Sequence, residues 1–299
     1  MIKRIIEISQ QPTRLSVKLG QLIVRAGDEE PASIPCEDIG LLVVDQPATS
    51  YSHAVFTTLL EAGATVIFCG SNHHPQGVLM PVAANSIQTE RTREQLSVKE
   101  PLRKQLWRQL VQAKIRHQAA IVGPDSDVYG VLRHQARQVR SGDPGNVEAQ
   151  ASRCYWPAYL NDLEFRRRRE GHPPNNLLNY GYAILRAAVA RAVVGAGLLP
   201  SVGLHHRNRY NAFCLADDLL EPFRGFVEGR VRDMWQEADE HDGYENLDQA
   251  TKAQLLAVLY QEIRIADQTG PLLVGLHRTA ASLVRCFAGE SKALDLPQL

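Results

Sequence analysis

The sequence predicts an α+β protein, with a small β-rich domain over residues 1–85 and a larger all-α domain over residues 86–299. Three observations predict it. Short β-branched runs separated by turn signals fill the first 85 residues. Apolar residues at helical spacing take over after residue 86. The 299 residues are 44% hydrophobic and 22% charged, enough for a real core and unlike a disordered chain.

Ile2–Ser9, Arg14–Lys18 and Gln21–Arg25 are strands, the last two joined by a hairpin turn at Leu19-Gly20-Gln21. Ile39–Asp45 and Ala64–Cys69 are apolar runs suited to strands buried on both faces. Between them Ser52–Ala62 is helical, capped by Ser52 and ended by Gly63. Asn72–Gly77 is a loop and Val78–Pro81 a last short strand. Glu100–Ala120 is a long helix, with Trp107, Leu110, Val111 and Ile115 on its apolar stripe. Asp127–Ser141 is another, ended by Gly142. Asp143-Pro144 marks a third start, a capping Asp before a Pro, for a helix to about Leu160. Phe165–Asn175 is a polar loop, and Asn176–Gly195 an apolar central helix. Asn211–Gly229 is mostly helical, and Asp248–Asp267 and Pro271–Ala288 are two further helices.

No uninterrupted apolar run reaches the ~18 residues of a spanning helix. The longest, Ala187–Pro200, is broken by Arg191. MIKRIIEISQ reads as a strand, not a signal peptide, so a soluble, cytoplasmic protein without a membrane partner is expected. Five scattered cysteines have no zinc-like spacing and predict free, mostly buried thiols. The net charge of zero hides blocks of −3 (1–85), +4 (86–150), +5 (151–232) and −6 (233–299). A basic middle suits a polyanionic partner.

The densest chemistry lies in HHRNRYNAFCLADDLLEPFR, residues 205–224. Asp218 and Glu221 are i,i+3 and project from one helix face. Two such acids are tolerated when a cation sits between them or one stays protonated. Imidazole with carboxylates suits Mg2+ or Mn2+. Glu148 is the second informative acid, sharing a face with Ser152 and Tyr155, although a first-turn glutamate also suits a helix dipole. His73-His74 reads as surface, and Tyr180 and Tyr182 as core with a phenol reaching the site as the alternative. No nucleophile elbow, P-loop or dinucleotide fingerprint is present.

NVEAQASRCYWPAYL (146–160), FRRRREGHPPNNLLNYGYAILRAAVARAVVGAGLLPSVGLHH (165–206) and NRYNAFCLADDLLEPFR (208–224) closely resemble the universal CRISPR-associated spacer-acquisition integrase. The nearest branch is the short one that accompanies single-effector, RNA-guided nuclease systems. The resemblance covers most of the chain and implies a β-sandwich-like amino-terminal dimerisation domain and a helical metal-binding catalytic domain. It places the metal ligands at Glu148, His206 and Glu221, with Asp218 as a further ligand or a supporting group. Gln150, Ser152 and Trp156 depart from the family's glutamate segment, but the acid is present. Counting from Gly203, the family's G-x-x-H spacing selects His206 over His205, which packs or orients its neighbour. Arg166, Arg167, Arg168, Arg169 and Arg207 fall where DNA contacts are expected. Arg209, Arg224 and Arg230 are further candidates, and Arg224 has an acid in the core as its alternative partner.

The implied chemistry is attack of a DNA 3′-hydroxyl on a phosphodiester of the repeat, with Mg2+ or Mn2+ in the site. His206 must be neutral to ligate, so activity falls at acid pH. The implied assembly is two homodimers bridged by a dimer of a small CRISPR-associated partner, a heterohexamer on double-stranded DNA. The acidic segment 233–299 is expected to meet a basic partner and to be dispensable for folding of residues 86–232. The rival functions are a metal-dependent nuclease on branched or single-stranded DNA and a non-catalytic DNA-binding scaffold.

Overall fold

The computed structural model describes residues 3–162, 164–168, 170–238 and 244–298. The first strands, β1 (Arg4–Ile8), β2 (Thr13–Lys18) and β3 (Gln21–Ala26), form where β-branched residues predict them. Leu19 (φ 51°) and Gly20 (φ 73°) close the β2–β3 hairpin, Lys18 pairing Gln21. Two positive φ values are what the strand twist asks of a two-residue turn. Then come β4 (Ala32–Pro35), β5 (Ile39–Val44), β6 (Ser50–Tyr51), helix α1 (His53–Glu61), β7 (Thr65–Cys69) and β8 (Pro75–Leu79). Strands β4 and β6 were not foreseen, being short edge strands without an apolar run. The predicted 72–77 loop is partly strand, because Pro75–Gly77 pair with Phe68–Cys69.

These strands build two four-stranded sheets, ordered β4-β3-β2-β6 and β1-β5-β7-β8. Leu15, Leu22 and Ile34 of the first share a core with Ile8, Leu42, Val44 and Val66 of the second. The two sheets thus face each other, as a sandwich requires. Strand β5 is buried along its whole length. Leu42 and Val44 point into that core, while Leu41, Val43 and Ile67 of β7 join the helical core.

The helical part comprises α2 (Gln88–Ser97), α3 (Glu100–Val122), α4 (Asp127–Gln138), α5 (Val147–Tyr159), α6 (Asn175–Gly195), α7 (Cys214–Leu220), α8 (Arg224–Glu237), α9 (Gln249–Leu256) and α10 (Leu272–Phe287). Helix α6 is apolar and long enough to cross a membrane by length and composition, which the broken apolar run had not suggested. Of its most apolar stretch, 83% is buried inside the chain, so its hydropathy is that of a core helix. It packs closely on α8: a Cβ on Gly181 would lie 2.5 Å from Val227.

The prediction of an all-α second domain fails in one place. The end of the predicted Asp248–Asp267 helix is instead strand β9 (Glu262–Ile265), which pairs with β10 (Gln268–Pro271) and β11 (Pro297–Gln298). Ile263 and Ile265 point inward, Glu262 and Arg264 outward, a period of two that a helix cannot satisfy. Segment 233–299 also supplies Leu255, Leu259, Leu272, Leu276 and Leu283 to the helical core. Removing it would strip these side chains from that core, which weighs against the expectation that residues 86–232 fold without it.

Asp143 caps α5 from outside the helix, overturning the predicted start at Pro144. Its backbone is left-handed (φ 47°), and its carboxylate accepts from Val147 N at 2.9 Å and Glu148 N at 3.0 Å. All five cysteines are free, three of them buried.

Candidate active site

Helices α3, α5, α6 and α8 enclose a cleft of about 350 Å3 lined by Lys114, Glu148, Ser152, Arg167, Glu221 and Glu228, among others. The Asp143 cap fixes Glu148 in the first turn of α5. Glu221 opens a short 3-10 turn, Glu221–Phe223, between α7 and α8 and is buried. Lys114 reaches between the two acids from α3. Its Nζ lies 2.5 Å from Glu148 Oε1 and 2.7 Å from Glu221 Oε2. Arg224 Nε is 3.0 Å from the same Glu221 oxygen. Both cations thus meet on one buried carboxylate oxygen. Burial alone would raise the Glu221 carboxyl, but Arg224 and Lys114 hold it down at about 2. Burial likewise opposes the Lys114 ammonium, and Glu221 and Glu148 overcome it, so its pKa is raised.

Asp218 does not share a cation with Glu221, contrary to the i,i+3 expectation. It faces the other way, fully buried, and accepts from Leu204 N (2.6 Å), His205 N (3.0 Å), His206 N (3.2 Å) and His206 Nδ1 (2.6 Å). Four donors saturate its carboxylate, which fits a supporting group rather than a ligand. With Nδ1–H donating to Asp218, the lone pair of neutral His206 sits on Nε2. The same hydrogen bond raises the His206 pKa against the effect of burial. Gly203 makes the turn possible, since a Cβ there would lie 2.5 Å from His206 O and 2.8 Å from Asp218 Oδ2. His205 stacks flat on Trp107 at 4.3 Å, the packing role expected of it.

The arginines divide. Arg167 and Arg168 line the cleft, Arg167 donating to Asn175 (3.1 Å) and Asn179 (2.6 Å). Arg166 is exposed on the same segment, and Arg169 lies outside the described residues. Arg207 is exposed and paired bidentately with Glu100 at 2.8 and 3.0 Å. Arg209 packs on Tyr210, Arg230 donates to Gln254, and Arg224 takes its core alternative on Glu221.

Sequence reasoning missed Lys114 and Glu228. Lys114 stands on the stripe of Trp107, Leu110 and Val111, so a charge among apolar positions was its signal. Glu228, 1% exposed, accepts from Tyr155 Oη (2.7 Å) and Tyr182 Oη (2.6 Å). The Tyr182 phenol thus reaches the cleft, while Tyr180 stays in the core.

Among the described residues no three of His, Cys, Asp and Glu converge as a metal cluster. The donor chemistry nevertheless fits a hard divalent cation. Two carboxylates from distant parts of the chain already meet on one cationic nitrogen, with one of their oxygens buried among positive charge.

The family model "CRISPR associated protein Cas1" matches residues 6–250. This chain belongs to the Cas1 family. The CRISPR-associated endonuclease Cas1 of Neisseria meningitidis serogroup C (strain 8013) is 33% identical over 293 residues, covering 97% of this chain and 94% of that one. Two solved structures share the fold. A casposase bound to integration product has a TM-score of 0.78 at 17% identity over 98% of this chain and 92% of its own. A chain of a Cas6-RT-Cas1–Cas2 complex has a TM-score of 0.77 at 17% identity over 99% of this chain and 36% of its own. The Cas1 fold thus carries both the sandwich and the helical cleft.

Proposed function

We propose that this chain is a divalent-metal-dependent DNA integrase of CRISPR adaptation. It joins the 3′-hydroxyl of a short DNA fragment to a phosphodiester of the CRISPR repeat. The observation that carries the reading is the convergence of Glu148 and Glu221 on one cation in a cleft lined by arginines. The endonuclease name of the Neisseria relative and the casposase held on its integration product support it.

Glu148, Glu221 and His206 Nε2 would hold Mg2+ or Mn2+, which when bound polarises the phosphoryl oxygen and stabilises the leaving oxygen. The chain's own residues do the rest. Asp218 fixes the ring and tautomer of His206. Arg167 and Arg168 contact the DNA backbone, a salt-dependent interaction. One O3′–P bond forms as the repeat's own P–O3′ bond breaks, and the proton of the incoming hydroxyl passes to the outgoing oxygen through solvent. No protein nucleophile takes part. Below the raised pKa of His206 its ligating nitrogen is protonated, so activity falls at acid pH.

Residues 1–85 form the dimerisation domain in this reading, and 86–299 the catalytic one. Two homodimers bridged by a dimer of a small adaptation partner form a cytoplasmic heterohexamer on double-stranded DNA. The likeness to a chain of a complex containing Cas1 and Cas2 supports such a partner. The identity to the Neisseria relative favours the single-effector branch.

The test is strand transfer from a labelled duplex with free 3′-hydroxyls into a supercoiled plasmid carrying the repeat. It is run with Mg2+, Mn2+ or chelator, with and without the partner. Labelled plasmid that needs metal and is lost in His206→Ala is the expected result. Shortened strands without joining make the protein a nuclease. Full joining by Glu148→Ala removes the metal site from Glu148.

A further inference from the structure

We propose that Lys114 is a positioning residue that serves as the resident counter-ion of the metal site. Without metal its ammonium holds Glu148 and Glu221 together, and a divalent ion enters only by displacing it. This rests on the reading above that the two glutamates take a metal.

The geometry is that of one ammonium shared by two carboxylates, at 2.5 and 2.7 Å. The two acids come from residues 34 and 107 positions away along the chain and are brought to α3 by different elements. Without a cation between them the two carboxylates would repel each other.

The charges also matter. Lys114 and Arg224 together already neutralise Glu148 and Glu221. A divalent ion at the same oxygens adds two positive charges, and withdrawal of one monovalent cation halves that excess. Arg224 is poorly placed to withdraw. Its guanidinium lies over the Tyr182 ring at 4.6 Å, and its Nε stays on Glu221. Lys114 carries its charge at the tip of a flexible four-carbon stem and borders an open cleft. Lys114 is the cation that yields.

The test uses the full chain, Mn2+ alone and no DNA. Mn2+ affinity is measured by titration calorimetry, and thermal melts are recorded with and without the ion, for the parent and Lys114→Met. An adjacent unit charge commonly shifts the proton affinity of a carboxylate tenfold or more. Removing Lys114 is therefore expected to tighten Mn2+ binding by about tenfold or more. Metal-free Lys114→Met should melt several degrees below the parent, and Mn2+ should raise it by more than it raises the parent. A purely structural lysine would instead leave the affinity unchanged or weakened, and either result overturns the proposal.

A second measurement needs no variant. In the parent, Lys114 should resist an amine-reactive reagent without Mn2+ and become labelled with it, as read by mass spectrometry of the peptide. Equal protection in both states overturns the proposal. A parent that binds no Mn2+ removes the metal reading and this inference with it. A parent that binds Mn2+ as tightly as Lys114→Met removes this inference alone.

Discussion

Lys252 and Lys114 are both withdrawn from solvent, 3% and 9% exposed, and both meet acids far away in the chain. Lys252 projects from α9 onto Asp45 just beyond β5, where His73 also sits on the Asp45 carboxylate at 3.0 Å. That pair is closed and joins the sheet to the helical part. Lys114 is divided between two acids, and its surroundings open into a cleft with arginines on its wall. A buried cation held on a single acid fastens structure. A buried cation with two partners and an open side marks a place where another cation fits.

The largest effect on stability should come from the closed pair. Lys252→Met leaves Asp45 buried with only a half-exposed histidine, and we expect a loss of about 3–5 kcal/mol in denaturant unfolding, with Mn2+ affinity unchanged. A rise in Mn2+ affinity like that expected for Lys114→Met would abolish the distinction between the two lysines.

Next comes a buried base with no acid beside it. Burial pushes His117 down to about 4, although its ring bonds to Pro297 O at 3.0 Å. The folded chain keeps it neutral while the unfolded chain protonates near 6.5. The stability it supports is therefore full above about pH 6.5 and is lost as pH falls towards 4. The loss is roughly 3 kcal/mol by linkage. Unfolding free energies of the parent and His117→Gln, compared from pH 4.5 to 7.5, should diverge over that window. Parallel curves would mean that His117 is hydrated in the folded state.

Asp218→Asn should lower strand transfer and Mn2+ affinity by roughly 10–100-fold, because a neutral amide orients His206 poorly. An unchanged affinity would show that His206 is no ligand. The smallest effect belongs to Arg207, whose side chain is 59% exposed on Glu100. Arg207→Ala should change stability by less than about 1 kcal/mol, so any larger loss of DNA binding in a filter assay reports a phosphate contact.

Much of this was legible in the chain. The β-branched runs located β1, β2, β3, β5 and β7, and helical spacing located α3 and α6, because burial on one or two faces leaves a periodic trace. Strands β4, β6 and β11 left none, since two to four residues at an edge are held by their neighbours' hydrogen bonds. Strand β9 carried the alternation, hidden behind the helical stretch that precedes it. In the site, the resemblance pointed to Glu148, His206 and Glu221, and the G-x-x-H spacing chose between the histidines. The opposite outlooks of Asp218 and Glu221 were not legible. Asp218 is taken by the backbone turn at 204–206 and the His206 ring, and Glu221 by Lys114 and Arg224, partners that only the tertiary fold supplies. Lys114 showed in the sequence only as a charge on an apolar stripe, because its two partners are set by the tertiary fold.

Strand β5 was described as buried on both faces, with alternate side chains in two cores. The consequence is cooperativity. A cavity cut at Leu42 loosens the wall on which Leu41 and Val43 support the helices, and one cut at Val43 does the same in reverse. Neither half of the molecule can melt while leaving β5 to the other. The sandwich and the helical part therefore draw on a single free energy of unfolding.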